Sequence, residues 1–260
     1  MSGRIAGFLY GLVCYGISMA VFVYAMAFLA NIGVAKSLDS AACTPFVHAL
    51  TVDIGLLLLF ALQHSVMARQ GFKRIWTRIV PPHAERSTYV LFSSAALVLV
   101  FLKWEPMGGT IWNIESAAGR YAIYGLYSVG WLIVLAATFL INHFDLFGLR
   151  QVWLNLRGKQ YTGLVFRTPG LYRIVRHPLY VGWLLVFWSA PRMTAAHLVF
   201  AAITTLYILV AIQYEERDLM SIHPEYADYR NRVPMLMPMG SAAKPGDSRV
   251  DERRGQEAKG

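Results

Sequence analysis

Long uninterrupted apolar runs constrain this chain more than any other feature of its sequence. They occupy residues 5–30, 46–68, 89–102, 121–141, 180–191 and 195–213. A helix needs about 20 apolar residues to cross the hydrocarbon core of a bilayer. Of the 260 residues, 56% are hydrophobic and 15% are charged, whereas soluble domains average roughly 45–50% and about 25%. The sequence therefore excludes an ordinary soluble or disordered protein and predicts an all-α, polytopic membrane helix bundle with about five or six transmembrane helices.

Two of the runs depart from the length of an ordinary span. Run 5–30 is longer than the roughly 7–15 apolar residues of a signal peptide, so we expect it to be retained. Run 180–191 reaches only about 18 Å as a helix, which is short of the ~30 Å hydrocarbon thickness. Because only residues 192–194 separate it from the next run, the two runs predict a short helical hairpin near the C-terminus.

Basic residues concentrate in two connecting segments. Segment 69–87 has five Lys or Arg residues and one Glu, and segment 142–178 has six Lys or Arg residues and one Asp. The positive-inside rule assigns both segments to the cytoplasm, and six crossings then bring both termini to that side. This distribution explains the net charge of +9 without a nucleic-acid partner. Cys14 and Cys43 are too few for a disulfide framework or for a zinc site of the usual spacing.

Polar and ionisable side chains are costly within a membrane and therefore mark functional sites. In this orientation they gather at the cytoplasmic ends of the spans, and Asp53 is the main exception. The group comprises Gln63, His64, Asn142, His143, Asp145, Arg176, His177, Glu215 and Glu216. The sequence therefore predicts a cytoplasm-facing site built from four segments.

Segment 176–182 reads Arg-His-Pro-Leu-Tyr-Val-Gly and predicts a helix that starts at Pro178, since proline fits the first helical position. The free N–H groups of that first turn, together with His177, favour an anion. Tyr180 lies in the same turn, and Gly182 would let a ligand approach the backbone closely. The simpler alternative is a basic membrane anchor followed by a helix start.

The next polar block follows the last apolar run. Glu215 and Glu216 point about 100° apart on a helix, so we expect only one of them to face a pocket. A solvated helix end is the alternative. Tyr226, Tyr229 and Arg230 share one helical face and predict either a lid over a ligand or an amphipathic helix on the membrane surface.

The exit of the fourth span supplies candidates for proton transfer. His143 and Asp145 alternate there with aromatic residues. They are a base and the group that orients it, or two groups that act separately. His64 is a second candidate base, although a lone histidine is more often structural. The spacing of these residues does not indicate a metal site, and we predict none.

Three blocks in the C-terminal half resemble isoprenylcysteine carboxyl methyltransferases and their bacterial relatives, which are integral-membrane enzymes that use S-adenosylmethionine. The blocks are 176–182, 215–216 and the run His-Pro-Glu-Tyr-Ala-Asp-Tyr-Arg-Asn-Arg-Val-Pro at 223–234. In the N-terminal half, Gln-His-Ser-Val-Met-Ala-Arg at 63–69 resembles NnrU-like membrane proteins. Segment 141–151 looks like its counterpart in bacterial methanethiol S-methyltransferases, which make dimethyl sulfide, and this likeness extends to about residue 238.

The resemblance implies transfer of a methyl group from S-adenosylmethionine to the sulfur of a small thiol, methanethiol. It implies that the cofactor is held by Arg176, His177, Pro178, Tyr180, Gly182, Glu215, Glu216, Tyr226, Tyr229 and Arg230. Because the thiolate is the nucleophile, the site needs a group that removes the thiol proton. From their placement we expect His143 with Asp145, and then His64, to do so. We expect Gln63 and Arg150 to contact the substrate.

The resemblance also implies a bacterial cytoplasmic membrane as the location. Residues 1–238 are expected to form one membrane domain, with the cofactor-binding part at about 165–238 and a disordered cytoplasmic tail at 239–260. Two alternatives remain at this point. A methyltransferase for isoprenylcysteine or another lipid predicts activity on long amphipathic substrates. A non-catalytic NnrU-type membrane protein predicts that no cofactor binds.

Overall fold

The computed structural model describes residues 1–238, so the predicted tail lies outside the described residues. Within that range, five helices are long and apolar enough to cross a membrane. They are α1 (Ser2–Ala30), α2 (Phe46–Ala68), α4 (Glu85–Lys103), α5 (Ala117–Ile141) and α9 (Ala195–Ile222). They match five of the six apolar runs. The predicted all-α bundle is confirmed, and the chain is a multi-pass membrane protein.

Shorter elements lie in the connections between these helices. They are α3 (Gln70–Trp76), β1 (Thr110–Asn113), α6 (His143–Leu146), α7 (Leu149–Leu156), a 3₁₀ turn (Gly170–Arg173), α8 (Pro178–Trp188), β2 (Arg192–Thr194) and α10 (Tyr226–Arg232). The main apolar core is built from residues of α1, α2, α4, α5, α8 and α9.

The two ends of the bundle differ in character. At one end, which we name the basic end, α1 and α4 begin and α2 and α5 end. Helix α9 ends there too, since Arg69 beyond α2 pairs with Asp218 at 2.8 Å. At the opposite end, β1 and β2 pair antiparallel. Residues 192–194, predicted to be the turn of a helical hairpin, therefore form a strand, because β1 supplies backbone partners that the chain pattern alone does not reveal.

Helix α8 packs closely along α5, and it begins at Pro178 as predicted. Gly182 makes this approach possible. A Cβ at that position would lie 2.8 Å from the carbonyl oxygen of Gly130 and 2.9 Å from the backbone nitrogen of Val134. Small residues allow membrane helices to approach in this way. Gly182 thus serves helix packing, since α5 is what approaches its backbone closely. The predicted contact of Gly182 with the cofactor stays a prediction.

A left-handed glycine fixes the segment that follows α5. Gly148 has φ 87°, and a Cβ there would lie 2.7 Å from the backbone nitrogen of Ser87 at the start of α4. Glycine is the residue that combines such a φ with so close a contact. The approach brings the segment after α5 against α4, where Phe147 packs with Met67 and Tyr89 in a buried cluster.

Candidate active site

A buried carboxylate, that of Glu216 in α9, organises the region predicted to hold the cofactor. Its Oε1 receives hydrogen bonds from Nε of Arg176 at 2.8 Å, from Nε2 of His177 at 3.0 Å and from the hydroxyl of Tyr226 at 3.3 Å. Nε of Arg230 lies 3.2 Å from Oε2. The Glu216 side chain is only 3% exposed. Three blocks that are distant in sequence meet here, but protein donors already occupy this carboxylate.

Glu215 lies beside this cluster in a different environment. Its side chain is 47% exposed, and its Oε2 accepts a hydrogen bond from the hydroxyl of Tyr180 at 2.9 Å. Nδ1 of His177 lies 3.9 Å from the same oxygen. The two neighbouring carboxylates therefore face different surroundings, as the helical geometry predicts. Glu215 is the one that solvent or a ligand reaches.

The amino end of α8 is less open to an anion than the sequence predicts. The N–H groups of Arg176 and His177 donate to the carbonyls of Pro234 and Met235 at 2.9 and 3.2 Å. Pro178 has no N–H, and the N–H of Tyr180, the third residue of the helix, donates to the carbonyl of His177 at 3.1 Å. The chain after α10 thus takes up the two backbone donors that precede α8, and the N–H of Tyr180 is used within the first turn itself.

The α10 tyrosines are buried rather than held over an open space. Tyr226 is 2% exposed and Tyr229 is 6% exposed, and the ring of Phe166 lies 5.8 and 5.7 Å from theirs. The Tyr229 hydroxyl donates to the carbonyl of Tyr172 at 2.6 Å. Burial raises the pKa of Tyr229 to about 12, so this hydroxyl remains a donor near neutral pH. In this structure the two residues hold α10 in place, and the lid and the membrane-surface helix both remain predictions.

His143 is buried at the exit of α5 and is hydrogen-bonded through both ring nitrogens. Its Nδ1 lies 2.9 Å from Oγ1 of Thr138, and that hydroxyl itself lies 2.7 Å from the carbonyl oxygen of Leu135. Its Nε2 lies 3.0 Å from the hydroxyl of Tyr15. The ring of Phe139 stacks on the imidazole with the centroids 4.3 Å apart. Burial lowers the pKa of His143 below its ordinary value, so the ring is neutral near pH 7.

Asp145, predicted to orient His143, contacts other residues. Its Oδ1 lies 2.8 Å from Nη1 of Arg150, and its Oδ2 accepts from the hydroxyl of Tyr161 at 3.2 Å. Within residues 1–238, no hydrogen bond joins Asp145 to His143. Residues two apart on a helix point about 200° apart, which explains why the predicted base and orienter diverge. The alternative in which they act separately is the one that fits.

His64 and Gln63 lie at the basic end of α2. Nδ1 of His64 is 3.2 Å from Oγ of Ser93, and its Nε2 is 2.9 Å from the hydroxyl of Tyr89. Nε2 of Gln63 is 3.1 Å from Sδ of Met67, and its Oε1 is buried with no donor among the residues described. A buried acceptor without a partner is costly. Gln63 therefore keeps one oxygen available to a donor that residues 1–238 do not supply.

A buried cluster of rings lies between the two candidate histidines. Tyr89, whose ring is 5.2 Å from that of His64, belongs to the same cluster as Phe147. From there a row of rings leads from α6 to α8: His143, Phe147, Phe22 and Trp183, with successive centroids 4.8, 5.8 and 5.9 Å apart. The candidate bases and α8 are thus connected through ring contacts.

Thr138 and Tyr15 are site residues that the sequence analysis missed, because a hydroxyl inside an apolar span gives no signal of its own. A second missed polar group lies at the opposite end of the bundle. There Nδ1 of His197 lies 2.8 Å from Oδ2 of Asp39, and the hydroxyl of Thr194 donates to the same carboxylate. This group joins the start of α9 to the α1–α2 connection.

The chain is similar over most of its length to several methyltransferases. It is 60% identical over 231 residues to the methanethiol S-methyltransferase of Crocosphaera subtropica, which covers 88% of this chain and 91% of the relative. It is 51% identical to the methanethiol S-methyltransferase of Mycobacterium tuberculosis, covering 88% and 95%. Methanethiol S-methyltransferase 2 of Bradyrhizobium diazoefficiens is 48% identical over 254 residues, covering 97% and 98%. No family model matches the chain, and no solved structure matches it.

Proposed function

Because this chain belongs to the methanethiol S-methyltransferase family, we propose that its basic end transfers a methyl group from S-adenosylmethionine to the sulfur of methanethiol, giving dimethyl sulfide. The observation that carries the proposed mechanism is the neutral, buried imidazole of His143. Its Nε2 lies 3.0 Å from the hydroxyl of Tyr15, at the edge of an apolar cluster that suits a small thiol.

The surroundings of Glu215 fit the methyl donor. S-adenosylmethionine supplies a methyl group on a positively charged sulfonium, and it carries a ribose diol. A carboxylate with an open oxygen accepts two hydroxyl donors or attracts the cation. The hydroxyl of Tyr180 and the imidazole of His177 lie against the other side of this carboxylate. The buried contacts of Glu216 with Arg176 keep α8 and α9 in register around this position.

The cluster of Met67, Tyr89 and Phe147 fits the methyl acceptor. Methanethiol is small and apolar, and these side chains are buried together. Such surroundings exclude water and hold the two sulfur centres in line, which lowers the entropic part of the barrier. Oε1 of Gln63, which has no donor among the described residues, contacts the acceptor in this proposal.

His143 acts as the general base. A simple thiol is mostly protonated near neutral pH, and burial alone disfavours the thiolate further. Thr138 accepts the Nδ1–H, so Nε2 is the basic nitrogen. The thiol proton passes to the oxygen of Tyr15 while the proton of Tyr15 passes to Nε2. The sulfur keeps the electron pair that attacks the methyl group. His64 is the second candidate for this role.

We propose that Asp145 and Arg150 form an ion pair that joins α6 to α7 beside the base.

We also propose that the basic end faces the cytoplasm, because the two lysine- and arginine-rich segments lie there. Both termini are then cytoplasmic, residues 1–238 form one membrane domain, and the membrane is the bacterial cytoplasmic membrane.

Binding and turnover test the proposal in sequence. Detergent-purified protein is titrated with S-adenosylmethionine by calorimetry, then supplied with methanethiol, and dimethyl sulfide is measured by gas chromatography. We expect binding and product, and we expect His143→Ala to bind the donor but to lose about 10²–10⁴-fold in kcat. Binding without product overturns methanethiol as the acceptor and directs the search to lipidic acceptors. The absence of binding by folded protein overturns the methyltransferase reading.

A further inference from the structure

Two adjoining cavities open at the basic end, apart from His143 and Glu216, which line neither of them. The first has a volume of about 650 Å³ and a polar lining that includes Lys73, Arg86 and Asp145. The second has a volume of about 710 Å³, and its lining is mainly apolar. Arg4, His83 and Asn155 line both cavities. The two cavities therefore adjoin along these three residues, one with a polar and the other with a mainly apolar lining.

The polar cavity is rich in cations. Arg4, Lys73, Arg86 and Lys159 line it, against two carboxylates. One of the carboxylates, Asp145, is already neutralised by Arg150 at 2.8 Å. Among residues 1–238, none of the four cations has a carboxylate within 4 Å. Burial lowers the pKa of Lys73, which reflects an ammonium group held with too little compensating negative charge. The space therefore favours an anion.

The apolar cavity lies along the first turns of α1 and the segment before α4. Its lining includes Ala6, Ile79, Val80 and Ala84, and Ile79 is 76% exposed. Ile141, the last residue of the span α5, borders the polar cavity. The two cavities thus lie at the end of the bundle where α1 and α4 begin and α5 ends.

We propose that these two cavities together bind an anionic phospholipid of the surrounding leaflet. Its phosphodiester lies in the polar cavity among Arg4, Lys73 and Arg86, and the upper part of one acyl chain lies against Ala6 and Ile79. A phosphodiester is a hard anion that guanidinium and ammonium groups bind with charge-assisted hydrogen bonds. A free phosphate has the same charged chemistry as the head group but has no apolar part to fill the apolar cavity. The lipid is therefore the favoured occupant.

The site has a structural consequence for the bundle. Arg4 of α1 reaches Gly158, where an added Cβ would lie 2.8 Å from its Nη1, and Nε of Arg86 donates to the carbonyl of Leu146 at 2.7 Å. The cations thus come from α1, α3, the start of α4 and the loop after α7. A bound phosphodiester joins these four segments and relieves the repulsion between their charges.

Native mass spectrometry of delipidated full-length protein tests this inference. The probes are phosphatidylglycerol and phosphatidylcholine of identical acyl chains, with inorganic phosphate as a soluble competitor. We expect phosphatidylglycerol to bind more tightly than phosphatidylcholine. Lys73→Gln should weaken its binding about fivefold, the effect of one basic residue near an anionic surface. Arg74→Gln is the matched control, because Arg74 is the exposed neighbour and does not line the cavity.

A second variant separates a lipid site from a phosphate site. Ala6→Trp fills the apolar cavity on an exposed face of α1 and should weaken phosphatidylglycerol binding without changing phosphate binding. Equal binding of the two lipids overturns the inference, and so does an equal effect of Lys73→Gln and Arg74→Gln. If inorganic phosphate displaces the lipid and binds as tightly as the lipid does, the occupant is a soluble anion. That result also overturns the inference. Since none of these readouts uses turnover, the inference stands or falls independently of the proposed reaction.

Discussion

The hydroxyl of Thr138 determines which nitrogen of His143 carries the proton. Oγ1 of Thr138 lies 2.7 Å from the carbonyl oxygen of Leu135, which accepts its single hydrogen, and 2.9 Å from Nδ1 of His143. The hydroxyl therefore accepts the Nδ1–H, and Nε2 is left as an acceptor facing Tyr15. A base that acts through Nε2 needs this tautomer, and the same pattern orients histidines in hydrolytic triads.

Thr138→Val keeps the shape of the side chain but removes the hydroxyl that fixes the tautomer of His143. We expect kcat to fall by about tenfold or more while the affinity for S-adenosylmethionine is unchanged, because the donor region lies around Glu215. Thr138→Ser retains the hydroxyl and should keep kcat near the wild-type value. Dimethyl sulfide formation at saturating donor measures the effect. Equal loss in the Val and Ser variants points to packing instead of the hydrogen bond.

The pH dependence of turnover follows from the burial of His143. Burial lowers the pKa of this group, and a base works only while it is unprotonated. As the pH falls, kcat/KM should therefore stay level past the ordinary histidine pKa of about 6.5 and decline only below it. Initial rates between pH 4.5 and 8 in wild type and His143→Ala measure this. If kcat/KM declines with the same midpoint pH in both proteins, the titrating group is not His143.

Most of the bundle is predictable from the sequence because the membrane imposes a simple rule. Every span must be apolar and must satisfy its backbone hydrogen bonds internally, as a long helix does. Runs such as 46–68 and 121–141 are long and apolar enough to be recognised as spans from the sequence. This rule does not predict strand β2, because its residues pair with β1, which lies in a distant connection. The rule does not predict the packing role of Gly182 either, because the partner Gly130 lies 52 positions earlier in the sequence.

The gathering of polar residues at one end of the bundle is predictable from the sequence, but their pairings are not. The sequence brings polar residues to one end through charge and span order, and the structure collects several of them around Glu216. Which atoms meet depends on local turns that no spacing rule gives. Asp145 and His143 are near in sequence yet diverge on α6, whereas Thr138 and Tyr15 reach His143 from inside apolar spans.

The neighbours Glu215 and Glu216 should separate donor binding from stability. Glu216→Gln leaves the buried Arg176 without its carboxylate, and loss of one partner of a buried ion pair costs about 3 kcal/mol. We expect a clearly lower Tm in detergent. Glu215→Gln is the matched variant, and its half-exposed side chain predicts an almost unchanged Tm with weaker binding of S-adenosylmethionine. Reversed effects of the two variants contradict these assignments.

The close approach of α8 to α5 should not tolerate a methyl group. Gly182→Ala puts a Cβ 2.8 Å from the carbonyl oxygen of Gly130, so the helices must separate at a cost of about 1–3 kcal/mol. We expect a lower Tm and reduced turnover, because α8 begins at the donor region. Gly125→Ala in α5 is the control, since nothing lies within 4 Å of its added Cβ. That variant should retain or raise the wild-type Tm.

Asp39 and His197 should make stability depend on pH at the opposite end of the bundle. Burial by itself raises the pKa of Asp39, but hydrogen bonds from His197, Thr194 and Asn31 outweigh it and hold the pKa below its ordinary value. A carboxyl with a lowered folded pKa stabilises the fold above its unfolded pKa, and this stability is lost as the pH falls through the folded pKa. Asp39→Asn should therefore lower Tm at pH 7.

The difference in Tm between wild type and Asp39→Asn should begin to shrink as the pH falls below about 4, the ordinary Asp pKa. It should vanish only below the lowered folded pKa of Asp39, where the wild-type carboxyl is protonated as well. At pH 7 we expect a loss of about 3 kcal/mol, because the variant leaves the His197 side chain, 1% exposed, without its carboxylate. Asp218→Asn is the control. Its partner Arg69 and Asp218 itself are 39% and 59% exposed, and an exposed pair contributes roughly 0–1 kcal/mol. A Tm difference for Asp39→Asn that is constant between pH 3 and pH 7 contradicts the linkage.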